Sequence, residues 1–229
     1  MGISDAEIIA LGLSFKVAIV AVLLALPFAI AAAEILARWR FPGRAVLDGL
    51  VHLPLVLPPV VMGYLLLITF GGKAPLGEWI ANTFGLRFMF SWTGAALAAG
   101  IVTFPFQVRA IRLALEAIDP GLRDAAATLG AGPFDRFFSI TLPLALPGII
   151  AGAITAFAAS LGEFGAIITF VSNIPGETRT LPLAIYSALQ SPGGEVAAAR
   201  LAGLSILLAL VGLACSELAA TRVRRMMEQ

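Results

Sequence analysis

Cysteine and histidine occur once each among the 229 residues, as Cys215 and His52. A lone cysteine closes no internal disulfide, and no His/Cys spacing typical of a metal site is present. Charge is scarce as well. Only 13% of residues are charged and 59% are hydrophobic, whereas soluble domains have about a quarter charged. That deficit makes the lipid bilayer the expected solvent. The net charge of +1 points to no nucleic-acid partner; in such a chain the distribution of charge matters more than its sum. A basic leader is missing: Asp5 and Glu7 precede an apolar stretch that runs to Ala33, too long for a signal-peptide core. No glycine-rich phosphate loop of the G-x-x-x-x-G-K-[ST] type occurs. Gly71-Gly72-Lys73 follows an apolar run and reads as a turn. His52 stands alone and reads as a packing or interfacial residue.

What the chain does contain is long apolar segments. Stretches able to cross a bilayer run from Ile8 to Ala37, Val46 to Phe70, Trp92 to Leu115, Ile140 to Leu161 and Leu201 to Ala220, each near the roughly 20 residues a helical span requires. The expected fold is therefore all-α, a polytopic membrane bundle of about five transmembrane helices in one domain covering residues 1–229. Residues 162–200 are apolar only in patches and are interrupted by Pro175, Pro182 and Pro192. They read as an outer-side loop with a partly inserted segment, because irregular backbone at membrane depth must be buried in protein or line a wet cavity. Span two carries His52, Pro54, Pro58 and Pro59. It is either a helix bent at a crowded interface or a hinge that lines a pore.

Arginine sets the orientation. With five spans, one set of loops and span ends holds Arg38, Arg40, Arg44, Arg109, Arg112, Arg123, Arg136, Arg222, Arg224 and Arg225; the other holds Lys16, Lys73, Arg87, Arg179 and Arg200. The richer set belongs in the cytoplasm, which puts the N-terminus outside and the C-terminus inside.

The segment between spans three and four is the most informative. Asp119 suits a helix N-cap and Pro120 the first helical position. Ala125 to Leu129 favour helix, and Gly130 can adopt the left-handed conformation that ends one. A second start at Pro133 leads into Ile140-Thr141-Leu142-Pro143. Local physics thus gives a short helix on the cytoplasmic face with an alanine-rich surface, as suited to a structural elbow as to docking. Its spacing resembles the signature of ABC importer permeases: Asp124-Ala125-Ala126, then Gly130, then Ile140, Leu142 and Pro143. The family usually has glutamate where this chain has Asp124, which keeps the charge and shortens the reach. The resemblance implies that loop 119–143 inserts into a groove of a separate ATPase subunit.

Two further stretches are candidates for the path itself. Gly162, Glu163, Phe164 and Gly165 place a carboxylate near the end of span four, and an ionisable group there is a functional candidate by default. A carboxylate repels anions, so Glu163 reads either as the residue that orders a gate or as an interfacial side chain. Ser172, Asn173 and Arg179 mix hydroxyl, amide and guanidinium groups on the outer side, a set able to contact an oxyanion and equally an ordinary polar loop. The runs Ser160–Pro182, Phe41–Gly43, Leu53–Val60 and Thr128–Gly130 resemble bacterial molybdate importer permeases. That resemblance implies a homodimer in the bacterial inner membrane, with a periplasmic molybdate-binding protein above and two ATPase copies below. ATP and magnesium would be bound by the ATPase, with no cofactor in this chain. Sulfate, thiosulfate or tungstate import is the neighbouring alternative. An integral-membrane enzyme would need His52, Glu163 and Asp124 to converge, and a secondary transporter would need paired charges inside spans. Some members carry an additional N-terminal helix, from which a count of five departs.

Overall fold

The computed structural model describes residues 4–227, and the side chains of residue 213 and of 215–227 fall outside the description. The side chains of Cys215, Arg222, Arg224 and Arg225 therefore lie outside what is described. Among the described residues every regular element is helical. The first span is α1 (Asp5–Arg38). Ser4 and Glu7 form a reciprocal capping box at its start, satisfying backbone donors that the first turn leaves unpaired. After the turn at Pro42-Gly43 come α2 (Arg44–Val56) and α3 (Pro59–Phe70), bent by 117° at Leu57-Pro58. The region read as one proline-rich span is thus two half-helices. Pro58 and Pro59 both lack the backbone N–H that would continue α2. A short surface helix, α4 (Pro75–Phe84), follows, then α5 (Trp92–Glu116) with Ser91 as its cap.

The direction of each helix can be read from its partners. Leu13, Val17 and Ala21 of α1 share a core with Ala95, Ala96 and Ala99 of α5. Ala29, Ala33 and Leu36 share a second core with Val108, Ile111 and Leu115. Early residues meet early residues, so α1 and α5 are parallel, and the chain between them must return across the bundle through α2 and α3. The end bearing Ser4 is here the upper end and the end bearing Arg38 the lower.

Below α5 lie α6 (Pro120–Thr128), α7 (Pro133–Arg136) and a π turn (Phe137–Thr141) that opens into α8 (Leu142–Leu161). Pro143 has no N–H to give the residue four back, and its ring would crowd that carbonyl. The chain widens instead: the N–H of Leu142 reaches the carbonyl of Phe137, five residues earlier. Helix α8 climbs antiparallel to α5. Gly148 faces Ala110 and Ala114, Gly152 faces Gln107, and Ser160 lies 3.3 Å from Thr103. Gly148, Gly152, Ala156 and Ser160 recur every fourth residue, the small-residue stripe that lets helices pack closely in lipid. After α8 in the chain come α9 (Gly165–Val171), α10 (Leu181–Leu189) and α11 (Glu195–Met227), the last packed against α8. The N–H of Leu181 donates to Ser14 Oγ (2.7 Å) and Arg200 donates to Glu7 Oε1 (2.6 Å), which ties these segments to the top of α1.

Among the described residues, four helices are long and apolar enough to span a membrane, or five if the bent α2–α3 pair counts as one. The stretch 162–200 is more ordered than its prolines suggest, since it contains α9, α10 and the first turns of α11, which begins at Glu195 and not Leu201.

Candidate functional site: a solvent-facing elbow and two adjoining helix breaks

At the lower end the local chemistry of the elbow gives the expected helix. Asp119 Oδ1 accepts from the N–H of Gly121 (2.8 Å), and Gly130 sits at φ +88° with nothing within 4 Å of where a Cβ would be. The N–H groups of Gly130 and Ala131 donate to the carbonyls of Ala127 and Ala126, both at 3.0 Å. Glycine is required here by backbone conformation alone. No residue of α6 is buried. Asp124, Ala125, Ala127 and Thr128 face solvent, and Ala126 is half-covered. Leu129 is 88% exposed and Phe134 79%. Phe138 is exposed as well, so three large apolar side chains of the elbow lie open beneath the bundle. Ile140 and Leu142 are half-buried in the passage to α8, and Pro143 is exposed. The expected docking residues therefore divide into a displayed set, Asp124 to Gly130, and a hinge set, Ile140 to Pro143.

At mid-bundle the two interruptions of regular helix come together. The break between α2 and α3 sits against the break between α8 and α9. Gly165 faces Pro59, and Gly63 faces Ala166 and Thr169. A Cβ on Gly165 would stand 2.7 Å from Pro59 Cβ, so glycine is required by close approach. Gly162 is different: its φ is −91° and its nearest neighbour would be 3.7 Å away. Glu163 is only 9% exposed, so the water-facing interfacial reading does not hold. Its Oε1 accepts from the N–H of Ala166 at 2.8 Å, closing the first turn of α9 where backbone donors would otherwise be orphaned. Phe164 packs against Tyr186, with ring centroids 5.2 Å apart.

On the upper face Ser172 is exposed, with φ +68°. Arg179 Nε donates to Asn173 Oδ1 (2.9 Å), and Asn173 Nδ2 donates to Ser187 Oγ (2.7 Å). Arg179 and Asn173 are brought together as a bracket between the 172–180 segment and α10, while Ser172 stands apart from it. Arg179 also lines a small recess of about 240 Å³ with Glu7, Ser187 and Arg200.

His52 is held locally: its Nδ1 lies 2.9 Å from the Asp48 carbonyl. Asp48 in turn pairs with Arg112 at 3.2 Å, linking α2 to α5. Among the described residues no hydrogen bond or ion pair joins any two of His52, Glu163 and Asp124, so the catalytic convergence of the enzyme alternative is not formed. The ion pair of Glu34 with Arg38, 2.9 Å apart at the lower end of α1, was not among the expected site residues. The four-residue spacing of Glu34 and Arg38 was visible in the sequence, but their partial burial was not.

Comparison with known proteins agrees with this architecture. Residues 25–225 match the family model described as binding-protein-dependent transport system inner membrane component. The molybdenum transport system permease protein of Escherichia coli K12 is 59% identical over 217 residues, covering 95% of each chain. A sulfate transport system permease protein of the same organism is 38% identical over 184 residues, covering 79% of this chain and 66% of that one. A crystal structure of a bacterial alginate ABC transporter shares the fold, with a TM-score of 0.75, 20% identity, and coverage of 96% of this chain and 80% of that one. This chain therefore belongs to the family of binding-protein-dependent transport system inner membrane components, multi-pass membrane subunits of transporters.

Proposed function

We propose that the chain is the permease subunit of an ATP-driven molybdate importer, working as a homodimer with an ABC ATPase subunit and a periplasmic molybdate-binding protein. The lower end faces the cytoplasm and the N-terminus the periplasm; the arginine excess supports this orientation. One observation carries the docking reading: α6 buries none of its residues, and the turn and short helix that follow it leave Leu129 and Phe134 largely exposed. An apolar surface of that kind costs free energy in water unless a partner covers it. For the substrate, the end-to-end 59% identity to a molybdenum permease outweighs the 38% identity to a sulfate permease.

In this mechanism ATP and its magnesium are bound by the ATPase, and closure of its two copies draws the two α6 elbows together. The helices rising from each elbow, α5 and α8, tilt with them. The junction of Pro59 with Gly165 is where the path opens and closes, with Glu163 holding the start of α9. The coupling lies in differential affinity of the docking contacts for the two states. Reconstitution with the ATPase and the binding protein tests this. ATP-dependent uptake of molybdate, competed by tungstate and not by sulfate, is expected. Preferential sulfate uptake would move the chain to the neighbouring oxyanion class, and uptake without ATP would overturn the reading.

A further inference from the structure

Along one flank of the bundle, α1, α2 and α5 enclose an apolar groove of about 650 Å³, inside the range of binding pockets, about 300–1,000 Å³. Its floor is made of small residues where α1 and α5 cross: Ala21 and Ala25 on one helix, Ala96 and Gly100 on the other. A Cβ on Gly100 would stand only 3.3 Å from the Ala21 carbonyl oxygen. The walls are large side chains, of which Phe28 and Leu50 are 70% and 61% exposed. No charged side chain lines the groove. Its lining atoms lack dispersion partners on the open side unless something apolar fills it.

The depth of the groove identifies what that is. Helix α1 carries no charge between Lys16 and Glu34, a rise of about 27 Å, close to the roughly 30 Å of bilayer hydrocarbon. Lys16 thus marks the upper edge of the apolar layer, and its Nζ lies 3.5 Å from the centroid of the Trp92 ring. A lysine and a tryptophan at that level are headgroup-depth anchors. Trp92 is also the top of the groove, and lining residues of α5 run down from it to Phe104, about 18 Å of helix. Half of the hydrocarbon layer is about 15 Å, so the groove reaches through one leaflet. Its rim is basic. Arg87 is exposed between two lining residues, Leu86 and Phe88, and its carbonyl accepts from Oγ1 of Thr93, a third (3.2 Å). Among the described residues neither Lys16 nor Arg87 forms an ion pair.

We infer that the groove holds an acyl chain of a net-anionic phospholipid from the upper leaflet, with the lipid phosphate at Lys16 and Arg87. A second copy centred on the same groove is disfavoured by charge. A two-fold contact presents each patch to itself, and would bring two Lys16 and two Arg87 side chains together with no lining carboxylate. The inference depends on the chain spanning a bilayer and not on which ion is transported.

The test uses the full chain in proteoliposomes of phosphatidylethanolamine and phosphatidylglycerol, with Trp39→Phe and Trp79→Phe leaving Trp92 as the single tryptophan. Brominated acyl chains quench tryptophan on contact, so brominating each lipid in turn reads the preference of the groove for one over the other. Phosphatidylglycerol is expected to be preferred roughly twentyfold, about fivefold for each cation. Lys16→Gln and Arg87→Gln should each lower that preference about fivefold. Ala25→Phe, which puts a ring on the floor, should at least halve quenching by both lipids; the glutamine variants leave the groove unaltered and carry the test if this variant does not fold. Equal quenching by the two lipids, or an unchanged preference in either glutamine variant, overturns the inference. Quenching by neither lipid would mean that protein, such as a second copy, covers the groove, and overturns it as well.

Discussion

Replacing Gly165 with alanine probes the junction between the two helix breaks. The added Cβ would lie 2.7 Å from Pro59 Cβ and 3.4 Å from both the Pro59 carbonyl carbon and the Val60 nitrogen. Non-bonded carbons settle at about 3.5–4.0 Å, so α3 and α9 must part by roughly 1 Å. No rotamer change can absorb this, because the proline ring is fixed to its backbone. Overpacking of this kind costs about 1–3 kcal/mol, and at about 1.4 kcal/mol per factor of ten that is roughly fivefold to a hundredfold in any equilibrium that forms the contact. Gly63→Ala should act alike, since its Cβ would be 2.6 Å from Thr169 Cβ and 2.7 Å from the Ala166 carbonyl oxygen. Gly162→Ala is the control: its conformation is right-handed helical and its nearest contact would be 3.7 Å. Thermal unfolding of the purified complex together with ATP-driven uptake reads the effect. The first two variants should lower both, and the control should change neither. If all three behave alike, the junction is not the tight contact described, and the gate assigned to it has no support.

Perturbations at Glu163, Gly130, Ala126 and Glu7 follow from the geometry. Glu163→Gln keeps an oxygen for the N–H of Ala166 and should reduce uptake partially, whereas Glu163→Ala removes the cap at a cost of about 0.5–2 kcal/mol and should reduce it further; wild-type assembly and uptake in both would remove Glu163 from the gate. Gly130→Pro fixes φ near −65° where the chain needs +88° and deletes the bond to Ala127. That variant, like Ala126→Arg, should abolish uptake with the chain still in the membrane, and normal uptake in both would sink the docking assignment. Glu7→Gln strips the charge that Arg200 meets at 2.6 Å and should lower stability by about 1–3 kcal/mol, measured as a drop in the unfolding midpoint; an unchanged midpoint would mean the upper ends of α1 and α11 are held by packing alone.

The elbow was almost fully legible in the sequence because its determinants are local. Asp119, Pro120, Gly130 and Pro133 each impose a backbone preference within a few residues, and the structure realises all four. Spans one and three were equally plain from apolar length, and the prolines of span two marked its break. The 117° bend there was not legible, since its size depends on what α3 packs against. Helix α9 was hidden for a related reason: seven residues cannot stand as a helix alone, and it exists by packing on α3 and by the Glu163 cap. The burial of Glu163 and the meeting of Arg112 with Asp48 are long-range facts. No periodicity in one segment reports which side chain of another will face it. At Arg179 the sequence supplied the residue types, and the structure showed Arg179 and Asn173 bonded to one another.

The central claim is that the displayed face of α6 is where the ATPase subunit sits. In a Cys215→Ser background, Leu129→Cys and, at the opposite end, Gln190→Cys can each be crosslinked in the assembled complex with a short bifunctional reagent. Leu129→Cys is expected to join to the ATPase, in a yield that changes when ATP is bound, and Gln190→Cys is not. A crosslink from Gln190→Cys with none from Leu129→Cys would contradict the claim.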